Sequence, residues 1–214
     1  MLVPVTLPAR PIAAAVFVLL ALATLGLVTS PLLLGDGYSI VTNSVSEAAA
    51  QQTPGSWAGR FTLLLSGLAV LLTALLRFRL WGWVATTALT AFGVMWMLTA
   101  VFSTRSWVAG TPFHETEDAL HSAFASGMAI IVVGAVAIMF RRASTTADRW
   151  WALGLLAVAS VLPLAGVLWP EWTGVSQRAM FLLTYVWLGR EVDRARLRGD
   201  RSLSRSHLHA RSRD

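Results

Sequence analysis

Charged residues fall in narrow clusters along the chain, and the runs between them are apolar and long. The uncharged windows are 11–35, 61–76, 80–104, 119–140, 150–170 and 179–189. A helix rises 1.5 Å per residue, so about 20 residues cross a hydrocarbon core about 30 Å thick. Four windows reach that length outright. The second reaches it if Trp57 and Arg60 lie at one interface and Arg77 snorkels to the other. The sixth holds eleven uncharged residues between Arg178 and Arg190, and it spans only if its helix starts near Thr173 and takes Arg178 in. The pattern predicts an all-α fold, a polytopic membrane helical bundle of six transmembrane helices. They are expected at about 12–34, 57–77, 80–103, 117–140, 150–169 and 173–190, and together they make one domain over 1–192. Residues 193–214 read as an arginine-rich cytoplasmic tail, expected to be disordered.

Composition narrows the class. The chain is 56% hydrophobic with mean hydropathy +0.63, and 13% of it is charged, about half the share of a soluble domain. There is no cysteine, which excludes disulfides, thiolate metal sites and cysteine nucleophiles. All 17 basic residues are arginine. With abundant alanine, that bias suggests a GC-rich bacterial genome, so the expected location is the bacterial cytoplasmic (inner) membrane. Six spans place 14 arginines against 5 acids on one side and 3 against 6 on the other. The positive-inside rule then puts both termini in the cytoplasm. Trp57, Trp107, Trp169 and Trp172 mark the outer interface; Trp81, Trp83, Trp150 and Trp151 mark the inner one. The first span follows Arg10 as a signal peptide would, but its length predicts a retained anchor. The tail lacks interleaved aromatics and any folded module, so nucleic acid is not an expected partner; the bilayer is. His207 and His209 in the tail read as solvated.

Three outer loops carry the polar chemistry. In the first, Ser44 and Glu47 have the spacing of a capping box, which predicts a short helix from Ala48 to Gln52. The functional alternative turns Ser44, Ser46 and Glu47 toward a polar cavity. In the second, Glu117 and Asp118 suit the first turn of a helix dipole. His114, Asp118, His121 and Ser122 share a helical face that Ala125, Ser126 and Ala129 continue with small side chains. That face predicts a bundle-facing His121, a functional candidate at such depth. Three ligands from His114, Asp118 and His121 make an incomplete metal set, so no metal and no cofactor is expected. In the third, Gln177 and Arg178 enter the sixth span, and Arg178 is expected to pair with Glu47, Glu117 or Asp118. Pro163 should kink the fifth span and free a carbonyl near Ser160.

These loops together resemble a bacterial membrane family, domain of unknown function 998. The matching pieces are Tyr38-Ser39-Ile40 with Val45-Ser46-Glu47, Gly59-Arg60-Phe61 leading to Gly67, and Ala100-Val101-Phe102. Further along come Glu117-Asp118-Ala119-Leu120-His121-Ser122 and Gln177-Arg178-Ala179-Met180-Phe181 with Tyr185 and Trp187. The resemblance implies a multi-helix integral membrane protein and no assigned activity or catalytic residue.

Two functions fit the residues best. One is a non-enzymatic protein that binds a lipid or small amphiphile in an outer-facing polar cavity, with Ser44, Glu47, Glu117, Ser122, Gln177 and Arg178 as ligand-binding residues. The alternative is an intramembrane hydrolase of lipid esters, by fold-level analogy. It would use His121 as base, Asp118 as its orienter and a hydroxyl such as Ser46 as nucleophile. A transporter or channel ranks third, because the chain shows neither repeats nor mid-span charges. Nothing in the sequence fixes the oligomeric state.

Overall fold

The computed structural model describes residues 9–211, with side chains over 10–197. Its helices are α1 (Ala9–Thr29), α2 (Ser56–Val101), α3 (Glu115–Arg142), α4 (Thr146–Leu168) and α5 (Thr173–Arg211), with no strand among the described residues. Four segments are long and apolar enough to cross a membrane: Arg10–Leu33, Ser56–Val101, Glu115–Arg142 and Thr146–Leu168. Large apolar side chains cover their outer surface. Val18, Leu25, Ile130, Val161 and Val167 are all more than half exposed, the arrangement of an integral membrane protein rather than a soluble one.

The 46 residues of α2 would measure about 69 Å if straight, more than twice the hydrocarbon thickness. They are not straight. Gly82 has φ 74 and ψ 172, a backbone region essentially closed to residues with a Cβ. The arms 56–81 and 83–101 fold back on each other. A Cβ on Gly67 would lie 2.6 Å from the Gly93 carbonyl oxygen, and one on Gly93 2.9 Å from that of Gly67. Backbones approach this closely only through small residues. The chain therefore reverses at Gly82, not at the Arg77/Arg79 turn that the charges predict. The reason is that Arg77 does not snorkel. Its side chain is buried and meets Glu191 of α5 at 2.6 Å, so the helix continues through it.

The inward stripe of α3 is His121, Val132, Ala135, Val136 and Met139. Ser122, Ser126 and Ala129 are exposed, which corrects the expected small-residue packing face. At 100° per residue, Ser122 falls a full step round the helix from the stripe that His121 begins. The expected kink at Pro163 does not interrupt α4. Helix α5 starts at Thr173, as expected, but runs on to Arg211. Its backbone passes the boundary foreseen at 192 and is helical over most of the segment expected to be disordered. Residues 193–211 contain no proline, and a helix already nucleated extends at little cost. An Asp193–Arg196 pair at 2.8 Å supports the extension one turn apart.

Candidate functional site

The loops 34–55, 102–114 and 169–172 converge at one end of the bundle. The Ser44–Glu47 box forms reciprocally. The Ser44 amide donates to Glu47 Oε2 at 2.6 Å, and the Glu47 amide donates to Ser44 Oγ at 3.1 Å. The box opens one short 3-10 turn, Glu47–Ala49, shorter than the helix expected to reach Gln52. The first turn of α5 then grips this loop by its main chain. The Gly174 and Val175 amides donate to the Val41 carbonyl at 2.9 and 3.2 Å. A Cβ at Gly174 would collide with the carbonyl oxygens of Asn43 and Ile40, so only glycine admits the loop there. Gln177 Oε1 accepts from the amides of Val45 and Ser46.

Arg178 completes this clasp. Its Nη1 donates to the carbonyls of Ile40 and Asn43, both at 2.9 Å, and of Gly174 at 3.1 Å; its Nη2 donates to the Tyr38 hydroxyl at 2.6 Å. Among the described residues it makes no ion pair, so the expected partnership with Glu47, Glu117 or Asp118 is corrected. A guanidinium has five donors in a fixed fork. Loop carbonyls converging from one side, with the phenol beside them, take up both terminal nitrogens without a carboxylate, while Nε stays buried with no hydrogen-bond partner among the described residues. Burial pushes the Tyr38 phenol up, while the nearby guanidinium acts the other way. The phenol therefore stays protonated and donates onward to the Ser44 carbonyl at 2.8 Å.

A second clasp joins α3 to the end of α2. Glu117 Oε1 accepts from the Ser103 amide at 2.8 Å, and Asp118 Oδ1 accepts from Thr104 Oγ1 and the Arg105 amide at 2.9 and 2.8 Å. His121 is 4% exposed, and its Nδ1 lies 3.0 and 2.8 Å from the carbonyls of Thr99 and Phe102. Two carbonyl acceptors require Nδ1 to carry a proton. The imidazole thus caps the last turn of α2, whose final carbonyls lack helical partners. Buried Gln51 ties this clasp to the first loop. It donates to the Ser103 carbonyl at 2.7 Å and accepts from the His114 amide at 2.8 Å.

The sequence-predicted residues are therefore brought together in two separate groups. Ser44, Ser46, Glu47, Gln177 and Arg178 share the first clasp; Glu117, Asp118 and His121 share the second. Ser122 joins neither. No hydrogen bond among the described residues links His121 to Asp118 or to Ser46, and His114 contributes through its backbone. Among the described residues no three His, Cys, Asp or Glu side chains group closely enough to hold a metal ion. Between the first and second loops lies an open cleft of about 610 Å³. Its wall includes Asn43, Glu47, Arg105, Trp107, Val108 and Phe113, and Tyr38 packs edge-on against Trp107 at 4.9 Å. Of the predicted ligand-binding residues only Glu47 lines it. Arg105, Trp107 and Phe113 had no spacing signal, since a loop wall is set by three-dimensional closure rather than period. Gln51 had none either, because a buried glutamine in a loop carries no local pattern.

A family model described as "Protein of unknown function (DUF998)" matches residues 12–189, a stretch that contains all three loops and both clasps. No curated protein and no solved structure matches the chain.

Proposed function

From the premise that the chain belongs to the DUF998 family of proteins of unknown function, we propose that it is a non-enzymatic, multi-pass protein of a bacterial cytoplasmic membrane that binds a lipid or small amphiphile in the cleft between its first two loops. It spans six times, because Gly82 divides α2 into two arms and α5 adds a further crossing. Both termini are cytoplasmic, by the arginine distribution. The observation that carries the binding reading is the composition of the cleft wall. Trp107, Val108 and Phe113 offer apolar surface beside the charges of Glu47 and Arg105, and the two clasps hold the loops that bear them. Polar groups outweigh apolar ones in this wall, which suits the headgroup end of an amphiphile, and both kinds are held on a fixed frame, as in small-molecule sites generally. The hydrolase alternative lacks comparable support, since the His121 Nδ1 proton goes to carbonyls and Asp118 holds Thr104 and Arg105.

Two experiments test the reading. For orientation, Ala109→Cys and Glu171→Cys should label with an impermeant thiol reagent in whole cells while Ser144→Cys should not; the reverse pattern would invert the topology. For binding, a panel of lipids and amphiphiles should contain a member that raises the melting midpoint of the purified protein. Ligand at 100 times its dissociation constant stabilises by about 2.7 kcal/mol. Arg105→Gln and Phe113→Ala should each remove most of that shift. A panel with no stabilising member, or a shift that survives both substitutions, would refute the cleft as the site.

A further inference from the structure

The opposite end of the bundle holds a second cavity, of about 40 Å³. Its wall includes Arg77, Arg142, Arg190 and Arg194 together with Asp148 and Glu191, and Trp81, Trp151 and Trp187 supply its apolar part. The two carboxylates are already shared. Glu191 meets Arg77 at 2.6 Å and Arg190 at 2.5 Å. Asp148 meets Arg190 at 2.9 Å and takes both terminal nitrogens of Arg194. Arg142 makes no ion pair or hydrogen bond among the described residues, and its guanidinium packs over Gly82, in the space a Cβ would fill. Four guanidiniums around one small cavity thus face two carboxylates.

We propose that this cavity is an oxyanion site that takes a phosphate group, either the headgroup phosphate of an anionic lipid or a free phosphate. Guanidiniums held together repel unless countercharge is supplied, and the wall is short of it by two. A planar fork of N–H donors matches the oxygens of a phosphate bidentately, and several forks around one space suit a group that offers oxygens in several directions. The size also agrees. One water needs about 10–15 Å³ of such volume, so the cavity admits roughly three oxygens' worth of ligand. Its surroundings suit a lipid source. Trp150 and Trp83 nearby in the chain are about two-thirds exposed, as aromatic residues are at headgroup level. The site lies away from the loop cleft, so it stands or falls separately from the ligand proposed there.

The test uses the full-length protein in detergent and tracks its melting midpoint. Inorganic phosphate is titrated against sodium chloride at matched ionic strength, and micelles are doped with phosphatidylglycerol or with diacylglycerol, which lacks the phosphate. The expected result is stabilisation by phosphatidylglycerol, by inorganic phosphate or by both. A response to phosphatidylglycerol alone identifies a lipid headgroup, and a response to inorganic phosphate alone identifies the free ion. Arg142→Gln should weaken the apparent affinity by about tenfold or more, since a charged hydrogen bond is lost, and Arg142→Lys should recover part of it. Arg141→Gln alters the adjacent arginine, outside the cavity wall, and should bind as the parent does. The proposal is overturned if neither phosphate source stabilises beyond its control, or if Arg142→Gln and Arg141→Gln behave alike.

Discussion

Glu191→Gln is expected to destabilise the bundle by about 3–5 kcal/mol, the usual result of removing one partner from a buried ion pair. Glu191 is 5% exposed and Arg77 is 3% exposed, and they meet at 2.6 Å between α5 and the first arm of α2. The glutamine keeps the shape and loses the charge, so Arg77 stays in a low-dielectric setting with its main countercharge gone. Arg77 also lies 5.7 Å over the Trp81 ring, which stacks on Trp187 at an 8° interplanar angle. That aromatic pair lacks the charge to replace a carboxylate, since a cation–π contact contributes about 0.5–2 kcal/mol. The double variant Arg77→Met with Glu191→Leu should recover much of the loss, because the buried guanidinium goes together with its carboxylate, while Arg190 keeps Asp148. Unfolding of the single and double variants in detergent, monitored by circular dichroism, measures both. A single variant within about 1 kcal/mol of the parent, the range of an exposed pair, would mean that water reaches this one.

The second large effect is expected at Arg178. Arg178→Ala removes the donors for the carbonyls of Ile40 and Asn43 and for the Tyr38 hydroxyl. Each hydrogen bond from a charged group contributes about 1.5–3 kcal/mol, less where water can replace it. The side chain is half-buried, so about 3 kcal/mol in total is a reasonable expectation. Arg178→Lys should restore only part, because one ammonium lacks the reach to serve carbonyls on one nitrogen and a phenol on the other. Glu47→Gln should act differently. It weakens the reciprocal contact with Ser44 but removes no partner of Arg178, so its effect should stay near about 1 kcal/mol. Hydrogen exchange over 38–46 reads the difference locally. If Glu47→Gln loosened that segment as much as Arg178→Ala, a carboxylate would be supporting the guanidinium after all.

Much of the architecture is legible because charge and apolarity are one-dimensional signals. The windows between charges locate α1, α3 and α4 to within a few residues, and the need to draw Arg178 inward locates the start of α5 at Thr173. The reversal of α2 is misplaced by those signals for a definite reason. An arginine inside an apolar run reads as an interface marker, and only Glu191, more than a hundred residues later, makes Arg77 an interior residue. The polar residues singled out at the loop end do cluster there, but their partners are main-chain atoms. Side-chain spacing reveals which residues share a face; it carries no record of which carbonyl or amide another segment will present. That is why the short apolar run of the last span suggests a carboxylate for Arg178, and spacing a catalytic neighbour for His121, while both hold backbone. The cavity with four arginines is hidden for a related reason: Arg77, Arg142, Arg190 and Arg194 already have a sufficient explanation in topology.

Because the clasps hold backbone, the loop end should show lopsided tolerance to substitution. The gripping side chains, Gln177, Arg178, Glu117, Asp118 and His121, have fixed chemical duties. Of the gripped residues, Ile40, Val41 and Ser103 offer main-chain carbonyls or amides at these contacts, and these are much the same in every amino acid. Ile40 is more than half exposed and Val41 over a third, so their side chains are free to differ without disturbing the grip. A chain built this way can exchange the chemistry it displays at its surface while keeping the same fastening, with the frame and the display under separate control.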